Sequence, residues 1–266
     1  MSQYENLLIE RNGPVATLTL NRPDSLNAID TALRLELMAA TEEINADEEL
    51  RVVILTGAGR GFSAGADLAD TSGMAPGVDV GAQTEKQLNE EYKPSLMAIA
   101  ESPKLWIAAV NGPCAGIGSA YALACDLVVM AEGSYIYQAF AAISLVPDGG
   151  ATWHLNRILG PKRAMELIIT GEKLSAERCE ALGLCNRVVP ADELLANARD
   201  WAETLSAKAP LALRYSKESL NYAAEHSLGD VISNEARIQA SCISSEDFKE
   251  GVSAFMGKRA PVWKGR

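Results

Sequence analysis

Three times in this chain a strand-length run appears with no polar side at all. Val52-Val53-Ile54-Leu55 leads into Gly57-Ala58-Gly59-Arg60-Gly61, Leu105 to Val110 leads into a turn at Asn111 to Gly118 and a small-residue helix at Ser119 to Ala124, and Leu127 to Ala131 follows. A strand wetted on one face alternates polar and apolar residues, whereas a strand apolar throughout is buried on both faces, as in a parallel sheet covered by helices. Repetition of strand, glycine turn and helix predicts an α/β core.

The flanking segments fit that frame. Leu7 to Glu10 and Val15 to Leu20 read as a hairpin around Asn12-Gly13-Pro14. Asp30 or Thr31 is the expected N-cap of a helix from Ala32 to Ala46, with Leu33, Leu37, Met38, Ala40 and Ile44 at helical spacing. A polar, glycine-rich stretch from Asp70 to Gln83 reads as a surface loop before a helix from Glu85 to Glu101. From Gly149 the pattern is helical except for Arg187 to Val189, so the expectation is a core over residues 1–200 and a helical region over 201–266.

The 266 residues carry 35 acidic against 24 basic side chains, a formal charge of -11. That balance disfavours nucleic acid and anionic membranes, which both need basic surface. No run reaches the roughly 20 apolar residues of a membrane span, and the N-terminus lacks the basic and apolar regions of a signal peptide, so a cytoplasmic location is expected. Five cysteines without a C-x-x-C predict reduced buried thiols and no metal site. The C-terminal stretch from Lys249 reverses the charge, with five basic residues against Glu250 alone, which would suit a phosphate-bearing ligand.

GAGRGFSAGADL, Gly57 to Leu68, admits three readings. As a dinucleotide loop it puts Phe62 where the third glycine belongs. As the G-x-S-x-G of a hydrolase it sets Ser63 too far from the strand end, and the chain offers only His154 and His226 as a base. As a cradle of backbone amides for an oxyanion it needs only small neighbours.

LNRPDSLNAID from Leu20, this loop, AAVNGPCAGIGSAYALACDL from Ala108, LVPDGGATWHLNRILG from Leu145 and EDFKEGVSAFMGKRAPVWKG from Glu246 together resemble the crotonase, or enoyl-CoA hydratase/isomerase, superfamily over nearly the whole chain. The resemblance implies a spiral of ββα units with an α-helical C-terminal trimerisation region, assembled as a homotrimer or a hexamer made of two trimers. It implies an acyl-CoA substrate, with coenzyme A entering as part of that substrate and no separate cofactor. The amides of Ala66 and Ile117 would stabilise the thioester oxyanion, and Ser63 would have no chemical task. Leu26, Ala28, Ala64, Asp67 and Leu68 would line the CoA path, Phe255 and Lys258 would reach it from the C-terminal helix, and Arg22 would add charge near the phosphates.

The hydratases of that superfamily use two glutamates, and here the matching positions are Ala120 and Phe140. Asp148 stands where a subset including the phenylacetate-degradation type isomerases carries a catalytic aspartate. An isomerase shifting a double bond through an enolate with Asp148 as proton shuttle is therefore expected. Three alternatives stand beside it: hydration by Asp148 alone; nucleophilic attack by Asp148 on an aryl-CoA, as in dehalogenases that pair it with an earlier histidine absent here; and a non-catalytic CoA-binding scaffold. Asp148 can equally be read as the N-cap of a helix from Gly149 to Leu159. An apolar approach through Phe140, Ile143, Leu145 and Val146 would raise its pKa, and a helix N-terminus would lower it. His154 is expected to be a packing or surface residue.

Overall fold

The computed structural model describes residues 4–70, 77 and 79–266. A hairpin, β1 (Leu7–Asn12) and β2 (Val15–Leu20), precedes α1 (Thr31–Ala46) and β3 (Val52–Gly57). Next come α2 (Val80–Gln87), one π-helical turn at Leu88–Tyr92, α3 (Lys93–Ala100), β4 (Leu105–Val110), β5 (Pro113–Ala115) and α4 (Gly116–Ala124). Then β6 (Leu127–Ala131), β7 (Tyr135–Tyr137), α5 (Ala151–Thr170), β8 (Lys173–Ser175), α6 (Ala176–Ala181) and β9 (Arg187–Val189) lead to α7 (Leu194–Ser206), α8 (Pro210–Ala223), α9 (Leu228–Ile243) and α10 (Glu246–Met256).

The main sheet has the order β1-β2-β3-β4-β6-β9, antiparallel between β1 and β2 and parallel elsewhere, and β5-β7-β8 form a smaller sheet. Both faces of the main sheet are covered, which explains its uninterrupted apolar strands. Val53, Leu55 and Ala108 pack toward α1 and α4, while Val52, Ile54, Ile107 and Val129 pack under Leu194, Ala198 and Ala202 of α7. Residue 200 falls inside that helix. α1 starts with the Asp30 carboxylate accepting the Leu33 amide at 2.8 Å, so of the two expected caps Asp30 is the one used.

Three expectations need correction. The helix foreseen from Glu85 begins at Val80, because Asp79 caps it by accepting the Gly81 and Ala82 amides. It then passes through the π turn before α3. Of the loop foreseen at 70–83, residues 71–76 and 78 lie outside the described residues. The three-residue strands β5, β7 and β8 were not foreseen, since three residues are too few to show a period.

Candidate active site

Asn27, fully buried and at φ 56°, organises the first glycine loop. Its Nδ2 donates to the carbonyls of Ala58 (2.9 Å) and Gly61 (2.8 Å), its Oδ1 accepts the Arg22 amide (2.8 Å), and its own carbonyl accepts the Ser63 hydroxyl (2.9 Å). Ser63 is 0% exposed, and its Oγ also accepts the Gly65 amide at 3.2 Å. It holds the loop together. Both histidines sit elsewhere: His154 lies on α5, and His226 follows α8, stacked on Tyr222 with ring centroids 3.6 Å apart. That arrangement ends the hydrolase reading. The phosphate-loop reading loses its donors too, since the amides of Ala58, Phe62 and Ser63 are spent on the carbonyls of Leu20 and Pro113 at 2.8, 3.0 and 3.1 Å.

The two glycine loops lie against each other. Ser63 and Cys114 form a parallel bridge, with the Ala115 amide donating to the Ser63 carbonyl at 2.8 Å. Two residues on, Gly65 still lies against Ala115 and Gly116, so residue 66 follows one side of this contact and residue 117, at the start of α4, the other. The glycines make the approach possible: a Cβ on Gly65 (φ 95°) would stand 3.0 Å from the Ala115 carbonyl oxygen, and one on Gly118 would stand 2.5 Å from the Ser63 Oγ. The Ala66 amide meets no acceptor among the described residues. Ile117 is the second residue of α4, whose N-cap Ala115 supplies no side chain, so helical geometry leaves its amide without a partner on the helix. Two such amides, one at a helix N-terminus, suit an oxygen that gains negative charge.

Asp148 lies just beyond. Gly149, at φ 58°, presses its bare backbone onto α3 and α4, where a Cβ would stand 2.8 Å from Ala120 Cβ, 3.1 Å from Ile117 Cγ1 and 3.2 Å from Leu96 Cδ1. This packing fixes the backbone that carries Asp148, one residue before the contact with Ile117. Asp148 Oδ1 is buried without a hydrogen-bond partner, and burial lifts the pKa to about 6, opposed only by its own amide. The carboxyl does not cap α5, because Gly150 is the N-cap and makes no side-chain bond. What Asp148 gives the helix is its carbonyl, which accepts the Ala151 amide at 3.0 Å. Of the apolar residues expected around it only Phe140 is buried, while Ile143, Leu145 and Val146 are half or more exposed. Burial also pulls the His154 pKa down to about 4, so that imidazole is neutral at pH 7.

The remaining residues divide. Leu26, at φ 52°, accepts the Ala64 amide at 2.9 Å and thereby joins Ala28 and Ala64 to the loop, and Leu68 projects from the same segment with 75% exposure. Asp67 and Asp30 both pair with Arg22, at 3.0 and 2.9 Å, and Arg22 also donates to the Ala28 carbonyl. Its charge is thus matched within the fold by two carboxylates. Phe255 and Lys258 are not brought to this centre: Phe255 is 83% exposed on α10, and Lys258 follows the end of that helix at φ 48°. Asn27, Tyr92 and Leu96 were missed, although the LN pair at 26–27 sat inside a recognised motif.

Covered parallel strands, paired glycine loops and a helical C-terminal region define the crotonase fold. A solved enoyl-CoA hydratase from Bacillus anthracis superposes with a TM-score of 0.91 at 32% identity, over 98% of this chain and 100% of that one. The family model for enoyl-CoA hydratase/isomerase matches residues 10–266. A probable enoyl-CoA hydratase of Rhodobacter capsulatus is 39% identical over 99% of both chains, and the 1,2-epoxyphenylacetyl-CoA isomerase of Escherichia coli is 38% identical over 95% of both. This chain belongs to the enoyl-CoA hydratase/isomerase family, enzymes of CoA thioesters.

Proposed function

We propose that the chain is an enoyl-CoA isomerase, moving a double bond by way of an enolate. The carrying observation is the half-buried carboxyl of Asp148, on the segment packed against α4, with a buried unbonded Oδ1 and a pKa lifted to about 6. The positions matched to the hydratase glutamates are the buried, proton-inert Ala120 and Phe140. In this reading the Asp148 carboxylate takes a proton from one acyl carbon, the charge passes to the thioester oxygen held by the Ala66 and Ile117 amides, and the same carboxyl returns the proton two carbons away. One group suffices because removal and return are sequential. The relatives' names include both hydratase and isomerase, so the choice rests on the residues.

Straight-chain, branched and ring-derived enoyl-CoAs offered to the protein should show ultraviolet changes with the mass unchanged. Products heavier by one water would establish a hydratase instead, and no change with any thioester despite tight binding would establish a scaffold.

The CoA end is read as lined by Leu26, Ala28, Ala64, Asp67 and Leu68 of one chain, with Phe255 and Lys258 coming from a neighbour in a homotrimer or hexamer. The bare α8–α10 surface supports this: Leu220, Leu228, Ile232, Phe248 and Phe255 are all exposed, an apolar display that marks an interaction surface. Light scattering should give a multiple of three 28.4 kDa chains. Lys258→Ala should weaken CoA binding and raise KM while the rate at saturation stays nearly unchanged, as expected for loss of uniform binding. A monomer with full affinity would refute the shared site.

A further inference from the structure

Tyr92 is buried, 5% exposed, at the last residue of the π turn between α2 and α3. Such turns shift the register of a helix and recur at functional sites. Tyr92 precedes Leu96, the residue under Gly149, by one helical turn and so shares the face of α3 on which the residue after Asp148 rests. Arg34 lies over the Tyr92 ring at 5.1 Å and is itself fixed by Glu91 (2.6 Å) and the Thr31 hydroxyl (3.2 Å). The Tyr92 carbonyl accepts the Ser95 hydroxyl at 3.0 Å, and Ser95 Oγ meets Tyr121 Oη at 2.7 Å, so ring and backbone are both held.

Arg34 also donates to the Tyr92 oxygen, which leaves the phenolic O–H itself to be given away, and among the described residues no donor reaches Asp148 Oδ1. We infer that Tyr92 is the positioning residue for Asp148, its phenolic O–H donating to the carboxylate when that group is ionised. The inference rests on the reading of Asp148 as the proton carrier. Donation to the charged form steadies one rotamer of a carboxylate that must face two acyl carbons in turn, and favours its ionisation. Tyr92 is suited to the task because burial, the largest influence, keeps the phenol protonated above its usual range, with Arg34 pulling the other way and the charge of Asp148 pushing further up. Leu96 and Ala120, packed under Gly149, have apolar side chains, the Ile117 amide is the one read as facing the thioester oxygen, and His154, neutral on α5, makes no hydrogen bond to Asp148 Oδ1.

The test is Tyr92→Phe in the full-length protein, which removes one oxygen and keeps the ring under Arg34. Asp148 is followed by the NMR titration of its 13C-labelled carboxyl, and catalysis by exchange of the acyl C2 proton. The Asp148 pKa should rise and kcat at neutral pH should fall about tenfold to a hundredfold with KM little changed, the usual effect of losing a hydrogen bond to a charged group. An unchanged titration and kcat would overturn the inference. Should Tyr92→Phe fold poorly, 3-fluorotyrosine at position 92, a stronger donor, should move the Asp148 titration downward, and no movement would count against it equally. The outcomes separate from the isomerase reading. If Asp148→Asn abolishes exchange but Tyr92→Phe titrates like the native protein, only the role of Tyr92 fails. If the titration shifts but Asp148→Asn retains exchange, only the role of Asp148 fails.

Discussion

Asp148→Asn should abolish exchange of the acyl C2 proton with deuterated water and, with it, double-bond migration, while the protein keeps its fold. The amide has the size of the carboxyl and cannot accept a proton. Because Gly150 rather than Asp148 caps α5, and the Asp148 contribution to that helix is a backbone carbonyl, the substitution leaves the helix start intact, and the Asn oxygen can still accept the bond from the residue's own amide. Loss of a general base should slow the reaction by roughly a hundredfold to ten-thousandfold. The pH dependence has a definite sign. The active form is the carboxylate, so the native rate should rise as pH increases through about 6, and the residual rate of the variant should lack that limb. Stability should move the other way. A carboxyl whose folded pKa lies above its unfolded value stabilises the native state at low pH and loses that advantage as pH rises through about 6. Asp148→Asn should therefore melt no lower than the native protein above that pH. Exchange at near-native rates in a well-folded Asp148→Asn protein would remove Asp148 from the mechanism and leave the paired loops without their base.

What could be read from the chain, and what could not, follows from the range of the forces involved. The covered sheet was legible because Val52 to Leu55 and Leu105 to Val110 have no polar side, a local fact with a single tertiary solution. The glycine loops were legible as loops, and their mutual approach was not, since the bridge between Ser63 and Cys114 joins residues 51 positions apart with no signal in either segment. The fate of Ser63 was decided in the same way, by the carbonyl of Asn27 from a third segment. The pairing of Arg22 with Asp30 and Asp67 likewise left no signal in the sequence. For Asp148 the sequence posed a balance between an apolar approach and a helix N-terminus. The fold answers it on the side of desolvation: burial lifts the pKa to about 6, the helix N-cap is Gly150, and Gly149 is pressed onto Leu96, Ile117 and Ala120. Tyr92 carried no signal, because a π turn has no sequence period of its own and its effect is to move one side chain onto another face.

Replacing the Ala66 amide by an ester, through incorporation of lactic acid at position 66, should lower kcat by about a hundredfold to a thousandfold and leave the fold intact. The reasoning turns on one atom. The Ala66 N–H is spent on no acceptor among the described residues, whereas its neighbours are committed: the Asp67 amide to the Ile29 carbonyl at 3.0 Å and the Ala64 amide to the Leu26 carbonyl at 2.9 Å. An ester at 66 therefore removes no donated hydrogen bond from the native state, costs it only part of the Gly65 carbonyl's bond with the Ile29 amide at 2.7 Å, and keeps the methyl group already there. If this amide faces the thioester oxygen as that oxygen becomes an enolate, its loss is felt chiefly after charge has developed, so kcat should fall while KM changes little. The same ester at Asp67 is the control. It should weaken the link to Ile29 and lower the melting temperature, with an effect on rate no larger than that loss of stability explains. A reversed pattern, with rate preserved in the Ala66 ester and melting depressed, would mean that the amide has a structural partner and that the oxyanion is held somewhere other than between residues 66 and 117.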